Sequence, residues 1–154
     1  MNRTIQLEQQ SRSFFWSAIW WAFIALSTRE LIGEFFFSRT GHLMYYIDIP
    51  PHFFGGIACG FFALAVFIWN FPERVVSNYR LRMIFGIPVA LAIGAIWEIY
   101  EVFDGMANVE MQIGGAFYKI GTVKDLVVDS LGAAFILYFR GPRQSRDDGY
   151  AQAS

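Results

Sequence analysis

The sequence predicts an all-α integral membrane protein, a bundle of four transmembrane helices with both termini in the cytoplasm. Three observations carry that prediction. The 154 residues are 55% hydrophobic and only 16% charged, where an ordinary soluble domain is about 25% charged. Seventeen Phe and five Trp weigh further against a soluble fold. Four apolar stretches also lie along the chain, each near the roughly 20 residues that cross a hydrocarbon core of about 30 Å.

The first stretch opens at Phe14 with "FFWSAIWWAFIALST" and runs past Arg29, Glu30 and Glu34 to Phe37. Arg3 and Arg12 precede it, as in a signal peptide. The run is long, however, and no A-x-A-like site follows, so it reads as a retained helix. The second, residues 51–69, starts where Pro50 and Pro51 suit a first helical turn, in which a missing N–H costs little. The third, residues 83–103, contains Pro88 and is expected to bend there. The fourth is residues 121–139, "GTVKDLVVDSLGAAFILYF". The transmembrane domain is thus residues 14–139, between a cytoplasmic N-terminal segment (1–13) and a disordered cytoplasmic tail (140–154).

Basic residues set the orientation. Arg3, Arg12, Arg74, Arg80, Arg82, Arg140, Arg143 and Arg146 fall on one side of the four spans, and only Arg39 and Lys119 on the other. The positive-inside rule then places both termini in the cytoplasm of a multi-pass protein of the cytoplasmic (inner) membrane. A formal net charge of −1 gives no footprint for nucleic acid. The single cysteine, Cys59, excludes an internal disulfide and any CxxC site. No P-loop, dinucleotide fingerprint, HExxH or nucleophile motif is present.

This orientation gathers the ionisable residues of the apolar stretches at the outer ends of the helices. Arg29, Glu30 and Glu34 end the first, and His52 begins the second. Glu98 and Glu101 end the third; Lys124, Asp125 and Asp129 begin the fourth. At 1.5 Å per residue Asp129 lies roughly 12 Å beyond Gly121, deep enough to require partners. Glu98 and Glu101 are i, i+3, and Asp125 and Asp129 are i, i+4, so each pair shares a helix face. Small residues lead into them at close to four-residue spacing: Gly86, Ala90 and Gly94 ahead of Glu98, Gly56 and Gly60 after His52, Gly132 or Ala133 after Asp129. Such stripes let transmembrane helices approach closely, so the acids are expected to face the bundle interior.

Six carboxylates in that layer face two fixed cations, Arg29 and Lys124, and His52. At low dielectric they cannot all stay ionised without protons or a metal ion. A divalent metal held by His52, Glu98, Glu101, Asp125 and Asp129 is one answer. Imidazole with carboxylate suits zinc, manganese or iron, and an oxygen-rich set admits magnesium. The di-iron bundle pattern is excluded, because it needs two Glu-x-x-His motifs. The plainer alternative is a structural network in which Arg29 and Lys124 pair with two acids and others are protonated. On that alternative His52 is a hydrogen-bonded core histidine, and Glu30 and Glu34 face water. Asp48, Asp104 and Glu110 read as loop charges, Trp16, Trp20, Trp21 and Trp69 as packing or interface anchors, and Cys59 as a small packing residue.

The order "DIPPHFFGG", "WEIYE", "KDLVVDSLGA" resembles the YjdF-like family of uncharacterised membrane proteins, which is VanZ-like in pattern. Asp48, His52 and Gly56, then Glu98 and Glu101, then Asp125, Asp129 and Gly132 stand at the motif positions. The likeness extends from about Asp48 to Ala134. Gly121 and Thr122 stand where the family often has a further Asp, and the extra helices of many members are absent. The resemblance implies a shared polar site and, through VanZ, a role in the cell envelope; it names no reaction.

Three readings follow. The first is a periplasm-facing metal site with Glu98 or Glu101 as base, acting in metal-assisted hydrolysis or modification of an envelope lipid. The second is a proton- or ion-coupled transport component, with a homo-oligomer forming the pathway. The third is an accessory subunit of a larger membrane complex whose acids are structural.

Overall fold

The computed structural model describes residues 3–36, 49–103 and 106–142, with side chains described for residues 6–31, 49–101, 103 and 121–142. Five helices occupy them: α1 (Arg3–Phe36), α2 (Ile49–Asn70), α3 (Glu73–Val76), α4 (Tyr79–Phe103) and α5 (Met106–Phe139). No strand occurs among the described residues. The all-α expectation holds.

The helices outrun the apolar stretches. At 1.5 Å per residue, the 34 residues each of α1 and α5 extend about 51 Å, well beyond a hydrocarbon core of about 30 Å. α1 begins at Arg3, so the segment ahead of Phe14 is helical, with Ser11 and Phe14 already buried. α5 begins at Met106, where the sequence analysis has a loop. Met106, Val109, Ile113, Phe117 and Ile120 repeat at three- and four-residue spacing, a helical pattern that the Gly114–Gly115 pair obscures. α2 starts with Pro50 and Pro51 in its first turn, and α4 continues through Pro88.

Two helices, Ile49–Asn70 and Tyr79–Glu101, are long and apolar enough to cross a membrane. α5 carries Lys124, Asp125 and Asp129 within its apolar stretch, and α1 carries Arg29 and Glu30. These charges lower the average hydropathy of helices that otherwise present bulky apolar faces.

α2 is the central element and packs on α1, α4 and α5. Glycine brings it against α5 with main chain nearly touching. A Cβ at Gly56 would collide with the carbonyl oxygen of Asp129, and one at Gly132 with that of Phe53. On α4, Gly86 faces Leu137 and Gly94 faces the Asp129 carboxylate. α1 joins α2 through aromatic contacts, Phe14 on Phe61 at 5.7 Å and Trp21 on Phe54 at 5.5 Å between ring centroids. Ser11 Oγ donates to the Ala65 carbonyl at 2.9 Å.

Polarity is distributed as in a membrane protein. On α5, Asp125, Asp129, Ala133 and Leu137 are buried, while Val123, Val127, Leu131 and Phe135 on the opposite face are at least half exposed. On α4, Gly86, Ala90, Gly94 and Glu98 are buried, and Ile84, Ile96 and Ile99 face outward. Trp16, Trp20 and Phe23 of α1 are also largely exposed. Acids inside and isoleucines outside suit a hydrocarbon surround; in water so much exposed apolar surface would demand a partner.

One basic residue is placed differently from the expectation. Arg82, counted above among the basic residues that flank the spans, is only 3% exposed. Its guanidinium donates to the carbonyls of Leu137, Val76 and Pro142 at 3.0, 2.7 and 2.8 Å. It thus satisfies acceptors at the end of α3 and at and just beyond the end of α5, and places positive charge at the negative end of α5.

Candidate functional site

Four helices deliver the expected polar residues to one place. Arg29 comes from α1, His52 from the first turn of α2, Glu98 and Glu101 from the end of α4, and Lys124, Asp125 and Asp129 from α5. His52, Glu98, Asp125 and Asp129 are 5, 8, 5 and 6% exposed. Their burial follows from the small-residue stripes. Gly56 and Gly132 bring α2 close to α5, and Gly94 leaves room for the Asp129 carboxylate, whose Oδ2 lies 2.6 Å from where its Cβ would be.

His52 sits between the two aspartates. Its Nδ1 is 3.5 Å from Asp129 Oδ1, and its Nε2 is 3.9 Å from Asp125 Oδ2. Lys124 Nζ lies 3.0 Å from Asp125 Oδ1. Glu98 Oε2 accepts a 2.8 Å hydrogen bond from Thr122 Oγ1. Glu101 Oε1 accepts one of 2.8 Å from Trp97 Nε1 and has an Arg29 nitrogen at 3.6 Å. The Arg29 guanidinium also covers the Trp97 ring, 4.9 Å from its centroid, a cation–π contact.

Of the proposed ligands, His52, Glu98 and Glu101 come nearest to a metal constellation. One ligand atom from each lies within 4.8 Å of the others. Ligands about 2.1 Å from a tetrahedral ion are roughly 3.4 Å apart, so modest side-chain rotation would close the set. Asp125 and Asp129 flank His52 rather than joining that trio. Thr122 and Trp97 are the residues that sequence reasoning missed. Each carried a faint signal: Trp97 is four residues before Glu101, and Thr122 three before Asp125, on the same helical faces.

The remaining candidates separate from the cluster. Glu30 is exposed at the helix surface. Asp48 and Asp104 lie outside the described residues, as do the side chains of Glu34 and Glu110. Trp16, Trp20 and Trp69 are 68, 63 and 85% exposed, consistent with interface anchors.

Below the polar layer is a cavity of about 190 Å³. Ala22 and Ala25 of α1, Ala58 and Cys59 of α2, and Ile93 of α4 form its walls, and Arg29, His52, Glu101 and Asp129 its polar lining. The arrangement is an apolar recess ending in a group of charges, a common plan for ligand sites.

No curated protein and no solved structure matches the chain. The matching family is described as a predicted membrane protein family, DUF2238, in line with the uncharacterised membrane family expected from the sequence, though the description carries neither the YjdF nor the VanZ name. Its match runs over residues 5–145, taking in nearly all of α1 and the whole of α2 to α5, and the chain belongs to that family.

Proposed function

We propose that this protein crosses the cytoplasmic membrane four times, with both termini inside, and holds a divalent metal ion in its outer half. His52, Glu98 and Glu101 are the ligands. Asp129 orients the imidazole through Nδ1, and Asp125 adds oxygen beside Nε2. Carboxylate partners of this kind fix the tautomer and orientation of a metal-bound histidine. The orientation rests on the distribution of Lys and Arg, which remains lopsided after Arg82 is set aside.

The observation that carries the proposal is the convergence of three ligand atoms within 4.8 Å, from buried His52 and Glu98 and half-buried Glu101. Charge supports it. Arg29 lies beside Glu101 and Lys124 beside Asp125. The four central carboxylates, these two fixed cations and one divalent ion bound by a neutral His52 sum to zero. Burial of uncompensated charge is costly, and this composition avoids it.

Held by His52, Glu98 and Glu101, such a metal would supply Lewis-acid chemistry, polarising a substrate oxygen or activating water. Glu98 or Glu101 is placed to take a proton, and the apolar cavity alongside suits an envelope lipid as substrate. Elemental analysis of purified protein, beside the Glu98→Ala/Asp129→Ala double variant, tests the site. Stoichiometric metal in the first and none in the second is expected. Absence from both would leave protons to balance the acids, and the metal reading would fail.

A further inference from the structure

The cavity has a shape and a polarity that the metal site alone does not require. Its walls are small or apolar side chains from three helices, and its charged lining is confined to Arg29, His52, Glu101 and Asp129. A dry engineered cavity of about 150 Å³ admits benzene, so about 190 Å³ has room for part of one alkyl chain, not for two chains side by side.

α1 and α4 both line the cavity, yet neither packs closely on the other; each is held mainly through α2 or α5. Their link at the cavity's polar end is the Arg29 contact with Trp97 and Glu101. Leu26 of α1, which lines the cavity, is 47% exposed and would meet lipid. The head group is constrained by charge. With a divalent ion in place, Arg29 and Lys124 balance the four carboxylates, so a phosphate or an ammonium head would bring uncompensated charge into a buried site.

We propose that this cavity takes one alkyl chain of an uncharged amphiphile, a lipid alcohol or ester, which enters from the bilayer between α1 and α4. Its head oxygen lies beside His52 and the ion. The head-group class rests on the metal reading above; the chain pocket does not.

The test is photolabelling in lipid nanodiscs with a long-chain alcohol carrying a diazirine on its chain, adducts being mapped by peptide mass spectrometry. Saturable labelling at Ala58, Cys59 and Ile93 is expected. An unlabelled alcohol of equal chain length should compete about tenfold better than the matching alkyl phosphate or alkyltrimethylammonium, the scale on which a buried site rejects a poorly matched group. Ala25→Phe, which fills the cavity, should lose the labelling while metal content, measured on the same sample, stays at the wild-type level. Labelling confined to outward residues such as Trp20 and Phe23 would overturn the chain pocket, whatever the metal content. Competition by the ammonium compound equal to or better than the alcohol would overturn the uncharged head group. Saturable labelling of a protein without metal would retain the pocket and remove the ion.

Discussion

His52→Ala is expected to weaken divalent-metal binding at least about 100-fold, because changes even to residues that merely support a ligand cost 10–100-fold. His52 is the one nitrogen donor in the trio, and it is also the residue that Asp125 and Asp129 flank. Its loss leaves an oxygen-only site, which suits magnesium, calcium or manganese better than zinc or iron. The fold should persist, since α2 is anchored below the site by Ile57, Gly60 and Leu64. Competition against a metal-chelating dye measures the affinity, and far-ultraviolet circular dichroism checks the helices. Unchanged affinity in a folded variant would show that the ion sits elsewhere.

The second large effect concerns the glycines that make the site possible. Gly55 and Gly56 are neighbours with opposite expected tolerance. A Cβ at Gly55 would lie 3.6 Å from Asp129 Oδ1, an ordinary contact, whereas one at Gly56 would run into the Asp129 main chain. Main chain cannot rotate aside, so α2 and α5 must separate. Overpacking costs about 1–3 kcal/mol, sometimes more, or on the order of 5 °C in melting temperature for a chain of this size. Gly56→Ala should melt that much lower and bind metal poorly, because Asp129 moves away from His52. Gly55→Ala should melt near the wild type. Equal melting temperatures for the two would mean that the close approach of α2 and α5 is not what seats Asp129.

Much of this was legible in the sequence because helical periodicity is a local property. The stripes through Gly86, Ala90 and Gly94 to Glu98, and through Asp125 and Asp129 to Ala133, define faces before any partner is known. Both faces are buried in the structure. The convergence of Arg29, His52, the glutamates and the aspartates followed from the direction of each helix. What periodicity could not supply was contact between helices. The Thr122 hydrogen bond to Glu98 and the Arg29–Trp97 stack depend on how α4 turns relative to α5 and α1, which no single helix encodes. The burial of Arg82 was not legible for a related reason. A basic residue near a helix start looks like a loop charge until the end of α5 is brought against it. The helical stretch from Met106 was not foreseen because Asp104 and Glu110 read as loop charges, although the apolar spacing from Met106 to Ile120 is helical.

The central claim is that a histidine and two glutamates from two helices share one divalent ion. X-ray absorption at the edge of the bound metal tests it most directly, on wild type and His52→Ala side by side. The account predicts imidazole scattering and a first shell of nitrogen and oxygen at about 2.0–2.2 Å in the wild type, with the imidazole signal absent from the variant. An all-oxygen shell, identical in the two proteins, would contradict it.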